Sequence, residues 1–301
     1  MDTERQPAER VAVVGAGRVG RSLAVALCQN GVEITAVVDQ DLPRAQSCAA
    51  RVRAGVSATS STAIPAETTT IVVAVPDDAL ERVAAALLSC PATREGLATI
   101  HTSGALGAEV FDSLRSTGVS AASAHPIMTF AGSEEDWRLW AGTFVGIEGD
   151  DEARRRASSL MRRVGAIPVE LPTGQKALYH LACVFASNYV VALYSCAART
   201  LVQLGIEEPT ALRLLAPLTA RTVANITAQG PLGALTGPIA RGDVGTVRRH
   251  LDALAASEPL RSVYVALGKV CVELARAQGG SSMEDLEAIE TLLNAYLNNP
   301  R

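Results

Sequence analysis

Four side chains with acid–base or nucleophilic chemistry share one face of a helix predicted in the second half of the chain. Lys176, His180, Cys183 and Ser187 follow one another at spacings of four, three and four residues, the repeat of one helical face. Asn188 is next to them in sequence. Because an ammonium and an imidazole can each give or take a proton, this face carries the groups that acid–base catalysis needs.

Two of these residues also have simpler explanations. Lys176 would be a solvated charge near the start of a helix, although a cation there opposes the helix dipole. His180 would be a histidine satisfied within the core. The predicted helix extends from about residue 175 to 204.

A second polar group lies in a segment dense in helix breakers, LTGPIARGDVGTVRRHL at 235–251. Asp243 is a predicted N-cap for the helix that follows it, so the segment can be a turn between two helices. Alternatively, it holds its backbone close to a ligand, with Thr236 and Arg241 available to bind a carbonyl or a carboxylate group.

The first half of the chain opens with a glycine motif between a predicted strand and a predicted helix, in VAVVGAGRVGRSLAVAL at 11–27. That context is the one a dinucleotide-binding loop requires. Gly15 permits a tight turn, Gly17 lets the backbone approach a pyrophosphate, and Gly20 lets helix and strand pack closely. The helix N-terminus attracts phosphate groups. The predicted cofactor-binding residues of this loop are Gly15, Ala16, Gly17, Arg18, Val19 and Gly20.

The end of the next predicted strand bears on the choice between NAD and NADP. Asp39 lies 19 residues after Gly20, where a carboxylate binds the adenosine ribose and repels a 2′-phosphate. This favours NAD, whereas Arg44 is close enough in sequence to reverse the preference.

Further predicted strands have polar ends, which in a parallel sheet line the ligand crevice. These ends are Val75-Pro76-Asp77, the loop containing Ser103, and His125-Pro126. We take Val75, Pro76 and Asp77 as cofactor-binding candidates, and Ser103 and His125 as substrate-binding candidates. Residues 143–149 are predicted to form an edge strand, and 166–171 to close the sheet.

The pattern becomes entirely helical after Pro172-Thr173-Gly174. The sequence therefore predicts an N-terminal α/β domain at 1–172, a Rossmann-type doubly wound parallel sheet, and an all-helical substrate and dimerisation domain at 173–301. Residues 177–198 contain no Asp, Glu, Lys or Arg and are long enough to span a bilayer. We predict a buried interior helix there instead, and no membrane association.

Composition excludes several other classes. Apolar residues make up 48% of the 301 residues and the net charge is −4, so no basic stripe for nucleic acid is expected. Six cysteines without paired spacing, behind a polar start that lacks a signal peptide, predict reduced thiols in a cytoplasmic protein. The histidines have no metal-ligand spacing, so no metal is expected.

The chain resembles the Rossmann-like proteins whose C-terminal domain is called domain of unknown function 2520, DUF2520. The resemblance extends over nearly the whole chain. It is carried by VAVVGAGRVG, IVVAVPDDAL, HTSGAL, AHPIMTF, KALYHLACVFASNY and LTGPIARGD. It implies a branch of the 6-phosphogluconate dehydrogenase-like reductases, some of whose members are thought to be alternative ketopantoate reductases in pantothenate synthesis.

The resemblance also implies roles for residues. Hydroxyacid dehydrogenase relatives place a catalytic lysine and, four residues later, an asparagine on the helix between their domains. Here Lys176 matches the lysine, but the fourth residue after it is His180 and the asparagine is Asn188. The departure leaves open which residue supplies the proton, and we take Lys176, His180 and Asn188 as catalytic candidates. Ser187 and Asn188 would bind the substrate oxygen.

Three functions follow from the residues and the resemblance together. The first is an NAD(P)-dependent reductase of a small 2-oxo acid, with Arg241 and Thr236 binding the substrate. The second is an imine reductase of the pyrroline-5-carboxylate reductase type, whose substrate arrives largely protonated. The third is a non-catalytic NAD(P)-binding regulator. In each case we expect a homodimer joined through the helical domain.

Overall fold

The computed structural model describes residues 9–298, so most of the polar start of the chain lies outside the described residues. The chain divides into two compact units, Met1–Ser187 and Asn188–Arg301. The predicted domain boundary at 172/173 would give the helix at Lys176–Ala186 to the second unit, whereas the compact units place it in the first.

The first unit contains one eight-stranded sheet. Its strands, in chain order, are β1 Arg10–Val14, β2 Glu33–Val38, β3 Val56–Ala58, β4 Thr70–Val73, β5 Ala98–His101, β6 Ser120–Pro126, β7 Phe144–Gly149 and β8 Ile167–Glu170. They lie in the order β3-β2-β1-β4-β5-β6-β7-β8. All neighbours are parallel except β6 and β7, which are antiparallel. The strand order reverses between β1 and β4, which confirms the predicted doubly wound sheet.

Helices cover both faces of this sheet. They are α1 Arg18–Gln29, α2 Leu42–Val52, α3 Leu80–Leu87, α4 Asp112–Arg115 and α5 Asp151–Arg163. The helix α6 Lys176–Ala186 follows β8 and belongs to neither buried core. One buried core joins α1, α2 and α5 to the sheet, with Leu27, Cys48 and Leu160 among its members. A second joins α3 and α4 to the opposite face, around Leu87 and Phe111. Burial on both faces explains why the strands are continuous apolar runs.

One prediction about the sheet edges was wrong and one is confirmed. Residues 143–149 form β7, which lies between β6 and β8 rather than at an edge, whereas β8, within the predicted 166–171, closes the sheet. The second edge strand is β3, which the sequence pattern did not predict. The chain reverses between β6 and β7 because residues 127–143 contain only the short 3₁₀ turn Asp136–Trp140, and not a helix that crosses the sheet as a parallel connection needs.

The predicted single helix from 175 to 204 is two helices, α6 and α7 Asn188–Val202. They are separated by Ser187, whose backbone is non-helical at φ −127° and ψ −73°. The prediction of a buried interior helix was also wrong. Residues Lys176–Val202 have the length and composition to cross a membrane, but only 6% of their most apolar window is buried. The composition identified an apolar surface but did not show what covers it.

The second unit is helical, as predicted. Besides α7 it contains α8 Glu208–Ala234, α9 Val244–Ala253, α10 Glu258–Gln278 and α11 Met283–Asn298. The core of the last three helices includes Val247, Leu251 and Leu293. Asp243 caps α9 as predicted, since its Oδ1 accepts a 2.9 Å hydrogen bond from the Thr246 N–H.

Candidate functional site

The glycine loop between β1 and α1 is held so closely against the end of β4 that two of its glycines admit no side chain. A Cβ at Gly15, whose φ is +96°, would lie 2.3 Å from the Ala74 carbonyl oxygen. A Cβ at Gly20 would lie 1.9 Å from the Gly15 carbonyl oxygen. A Cβ at Gly17 would meet nothing within 4 Å. Gly15 and Gly20 therefore serve the packing of the loop, while Gly17 faces open space.

The space beside Gly17 is a cavity of about 620 Å³ at the carboxyl ends of β1, β2 and β4. The predicted cofactor-binding residues that line it are Gly15, Gly17, Asp39, Val75 and Pro76. It is also lined by Arg44 and by residues that were not predicted, namely Thr59, Ser60, Asp78 and Arg82. Asp77, which was predicted, lies in the exposed first turn of the 3₁₀ helix that follows β4.

The first turn of α1 fits an anion. Gly17 occupies its N-cap without any side-chain hydrogen bond, and its first turn contains no acidic residue. The exposed N-terminal N–H groups and the helix dipole therefore favour a phosphate at Gly17. Together with the cavity, this is the shape and polarity that the pyrophosphate and adenosine half of a dinucleotide require.

Two other predicted loop residues are placed differently. Arg18 is the first residue of α1 and is exposed. Val19 packs against the core beneath the helix. Neither side chain lines the cavity.

Asp39 is buried at the end of β2 and holds the glycine loop. Its Oδ2 accepts a 2.7 Å hydrogen bond from the Ala16 N–H, and its Oδ1 accepts a 2.9 Å bond from the Asp41 N–H. The Arg44 guanidinium is 3.8 Å from Asp39 and 3.4 Å from Asp41. Two carboxylates therefore share a single exposed guanidinium, and of these three residues Asp39 and Arg44 line the cavity.

A second polar cluster lies at the carboxyl ends of β5 and β6. There the His101 Nδ1 accepts a 3.2 Å hydrogen bond from the Ser103 N–H, and its Nε2 is 3.0 Å from the Gly107 carbonyl oxygen. His101 is fully buried, and burial lowers its pKa to about 4. The Ser103 hydroxyl accepts from the N–H groups of Ala105 and Leu106. Ser103 was predicted to bind the substrate, but its hydroxyl group is already hydrogen-bonded within its own loop.

Lys176, at the start of α6, is attached to this loop. Its Nζ donates a 2.9 Å hydrogen bond to the Ser103 carbonyl oxygen, and the side chain is only 3% exposed. Burial lowers the Lys176 pKa to about 8, against the opposing attraction of Glu148 and Asp77. The ammonium group therefore lies within the first unit and does not face bulk solvent.

His125 and His180 lie on either side of Gly104. Their ring centroids are 5.9 Å apart. A Cβ at Gly104 would lie 2.5 Å from the His180 Cδ2 and 2.9 Å from the His125 Nε2. The other nitrogen of His125, Nδ1, is 3.0 Å from the Tyr179 hydroxyl. Within the first unit, Lys176, His180, His125 and Ser103 are thus brought together.

The remaining predicted residues are placed as follows. Ser187 ends α6 as its exposed C-cap. Asn188 begins α7, and Thr236 and Arg241 are exposed on either side of the turn that precedes α9. These last three residues belong to the second unit, and their substrate-binding roles stay predictions.

Sequence reasoning missed two residues of this cluster. Tyr179 shares a helical face with Lys176 and Cys183, and that spacing was a usable signal. Glu148 is buried on β7 and accepts a 2.7 Å hydrogen bond from the Ala108 N–H. Glu148 is the only polar side chain in that strand, FVGIEG, so a carboxylate within an otherwise apolar strand was a usable signal.

Two family models match the chain. Residues 2–126 match the Rossmann-like domain, and residues 143–271 match the domain of unknown function DUF2520. The architecture that the resemblance implied is thereby confirmed. No curated protein matches the chain.

Solved structures with the same fold include three that cover almost the whole chain. A protein from Thermotoga maritima is 26% identical with a TM-score of 0.72, over 89% of this chain and 99% of its own. An imine reductase from Myxococcus stipitatus in complex with NADP⁺ is 19% identical with a TM-score of 0.62, over 95% and 99%. A pyrroline-5-carboxylate reductase from Coxiella burnetii is 15% identical with a TM-score of 0.57, over 90% and 98%.

Proposed function

Since the chain joins a Rossmann-like domain to a DUF2520 domain, we propose that it is an NAD(P)-dependent oxidoreductase. Its proposed substrate is a small 2-oxo acid, as for a ketopantoate reductase. The observation that carries the proposal is that two features lie together at the carboxyl ends of the strands of one sheet. The first is the open cradle at Gly17, and the second is the cluster of ionisable side chains at the ends of β5 and β6.

The strand order relates these two features. In a doubly wound sheet a dinucleotide crosses the crevice where the strand order reverses, here between β1 and β4. The cavity lined by Asp39 and Ser60 lies on the β2 and β3 side and suits the adenosine half. The nicotinamide would then extend toward β4 and β5, beside the loop that contains Ser103 and Gly104. A bound nicotinamide supplies the hydride chemistry.

Lys176 has two functions in this proposal. Its hydrogen bond fixes the Ser103 carbonyl group and with it the loop beside Gly104. Its buried positive charge would also stabilise negative charge that develops on a substrate oxygen near that loop, because such interactions are strong where water is excluded.

We propose NAD as the preferred cofactor. Asp39 and Asp41 would both repel a 2′-phosphate on the adenosine ribose. The guanidinium of Arg44, which would otherwise bind that phosphate, lies within 4 Å of both carboxylates.

A second candidate function is the reduction of a cyclic imine. It is favoured by the similar structures of an imine reductase and a pyrroline-5-carboxylate reductase. An iminium group already has its proton, so this reaction would need less acid catalysis from the cluster around Lys176.

One series of experiments tests these proposals. NADH and NADPH are titrated against the purified protein, and the tighter cofactor is then assayed with ketopantoate, other small 2-oxo acids and pyrroline-5-carboxylate. We expect oxidation of the cofactor with a 2-oxo acid. Turnover of the imine alone would favour the second candidate. Cofactor binding without any turnover would favour a non-catalytic regulator.

We further propose that the protein works as a cytoplasmic homodimer. The dimer is supported by the apolar surface of α7 and α8, where Val191 is 70% and Leu218 is 65% exposed. Side chains this apolar are seldom left in water in such numbers. The six cysteines are free thiols, as is usual in a reducing compartment.

A further inference from the structure

The Tyr179 hydroxyl contacts two atoms of the same residue, His125. It lies 3.2 Å from the backbone carbonyl oxygen of His125 and 3.0 Å from the ring nitrogen Nδ1. The carbonyl oxygen can only accept, and a tyrosine hydroxyl has one proton to donate. The hydroxyl therefore donates to the carbonyl oxygen, and Nδ1–H donates to the hydroxyl oxygen. In a neutral ring this arrangement leaves Nε2 without a proton.

Gly146 makes room for the tyrosine. It lies opposite His125 in the antiparallel register of β6 and β7. A Cβ at Gly146 would lie 2.8 Å from the Tyr179 hydroxyl oxygen and 2.7 Å from the adjoining ring carbon. The ring of Tyr179 therefore occupies the position of a missing side chain on β7, and its edge-to-face packing on His125 fixes the plane of the imidazole.

The unprotonated nitrogen is free to contact a ligand. Nε2 of His125 makes no hydrogen bond within residues 9–298, and it is not among the fully buried polar atoms that lack a partner there. It is directed at Gly104, in the loop that Lys176 fixes. The absence of a side chain at Gly104 lets the loop approach Nε2 closely, since a Cβ there would lie 2.9 Å from that nitrogen and 2.5 Å from the His180 ring.

The groups that face His125 come from α6. They are the Lys176 ammonium, the His180 ring and the Tyr179 hydroxyl. Burial, reinforced by the electrostatic interaction with Lys176 and His180, lowers the His125 pKa to about 4. The ring is therefore neutral at pH 7 and keeps the lone pair on Nε2.

We propose that His125 exchanges the proton with the substrate through Nε2, and that Tyr179 is the positioning residue that sets the required tautomer. This inference rests on the proposed reductase function. As a 2-hydroxy acid is oxidised, its O–H bond breaks and the proton goes to Nε2. The C–H electron pair leaves as hydride to oxidised NAD(P)⁺, and the carbonyl group forms. Reduction of the 2-oxo acid is the reverse. NAD(P)H gives its hydride to the carbonyl carbon, and Nε2 passes to the developing alkoxide oxygen a proton that it takes up from water.

The tautomer can be measured without any substrate. In ¹⁵N-edited NMR spectra of the histidine rings in the full-length protein, we expect His125 to have a protonated Nδ1 and a bare Nε2. Tyr179→Phe keeps the ring but removes the hydroxyl, so a share of the proton should move to Nε2. An unchanged His125 spectrum in that variant would overturn the tautomer assignment.

The chain provides a matched control. In the second unit the His250 Nδ1 is 3.0 Å from the Tyr264 hydroxyl, and the two rings pack at 88°, as those of His125 and Tyr179 do. Tyr264→Phe removes the same type of hydroxyl at a site outside the proposal. We expect it to leave the His125 spectrum and the activity unchanged.

Kinetics test the proton exchange itself. His125→Gln retains an N–H group for Tyr179 and an acceptor oxygen in place of Nε2, but an amide cannot take up a proton. We expect His125→Gln and His125→Ala to lower kcat at least about 100-fold, the lower limit for general acid–base catalysis, with NADH binding unchanged. Tyr179→Phe should lower kcat about tenfold and leave KM nearly constant.

Two outcomes distinguish a wrong role for His125 from a wrong proposed function. If the wild-type protein turns over 2-oxo acids and His125→Gln retains more than about a third of its kcat, the role of His125 is wrong and the proposed function stands. If the wild type turns over none of them, the proposed function and the proton exchange both fail. The NMR comparison still decides whether Tyr179 sets the tautomer.

Discussion

The Asp39 carboxylate accepts a 2.7 Å hydrogen bond from the Ala16 backbone N–H. This bond ties the end of β2 to the glycine loop after β1, 23 residues earlier in the chain. One carboxylate therefore shapes the loop and also presents its negative charge to the cavity beside it. The Ala16 N–H is consequently occupied, so the N–H groups at the start of α1 would have to bind a pyrophosphate without it.

The two carboxylates that share Arg44, those of Asp39 and Asp41, should determine cofactor preference. We expect NADH to bind at least about tenfold more tightly than NADPH, a difference of about 1.4 kcal/mol. Asp41→Ser removes one negative charge and releases Arg44 from its 3.4 Å contact, so it should raise the affinity for NADPH relative to NADH. Isothermal titration with both cofactors measures this.

A control for the Asp41 variant is Asp112→Ser. Asp112 also forms an i,i+3 ion pair with an arginine, Arg115, but Arg115 does not line the cavity, whereas Arg44 does. We expect its cofactor affinities to match those of the wild type. A wild-type preference for NADPH would contradict the proposed specificity.

The glycines of the loop should separate into binding and folding positions. Gly17→Ala places a methyl group in open space, so the fold should keep its stability while the affinity for NADH falls at least about tenfold. Gly20→Ala forces a methyl group against the Gly15 carbonyl oxygen and should destabilise the fold by about 1–3 kcal/mol. Thermal unfolding and cofactor titration of both variants measure the two effects.

Loss of stability in Gly17→Ala would show that the residue is needed for packing. Unchanged NADH affinity in a folded Gly17→Ala protein would exclude a pyrophosphate at this position.

Lys176 should make stability depend on alkaline pH. Its folded pKa of about 8 lies below the ordinary value of 10.5, so between these pH values the unfolded chain binds more protons than the folded one. Folding stability then rises with pH across this window. We expect the free energy of unfolding of the wild type, relative to Lys176→Met, to increase by up to about 3 kcal/mol between pH 8 and pH 10.5.

The chain contains one other lysine, Lys269, and Lys269→Met is the matched control for the denaturation series. Direct titration of the two lysines by ¹³C NMR after reductive methylation gives the pKa of each. A Lys176 pKa near 10.5 would contradict the buried environment described for its ammonium group.

The apolar surface of the second unit should be where two copies of the chain meet. Light scattering should give the wild type twice the chain mass of 31.4 kDa. Val191→Glu places a charge at a 70% exposed position on α7 and should shift the protein toward the monomer. Leu88→Glu, at a 46% exposed apolar position in the first unit, should leave the mass unchanged.

A wild type that is monomeric in buffer would contradict the dimer. A wild type that requires detergent to stay in solution would indicate that lipid covers this surface instead.

The sequence by itself determined the features that depend on short spacing. The glycine loop could be predicted because three glycines at fixed intervals between a strand and a helix meet a local steric demand. The Asp243 cap could be predicted for the same reason, since a cap bonds to a backbone only three residues away. The doubly wound sheet followed from alternating apolar runs.

Tertiary structure alone decided how the candidate site is connected. The Lys176 ammonium bonds to a carbonyl group 73 residues away, and the Tyr179 hydroxyl contacts a histidine 54 residues away. The second pair depends on the register of β6 against β7 and on a glycine at position 146. Helical periodicity shows which side chains share a face. It does not show what that face meets, because the partners are brought together only by packing between distant segments.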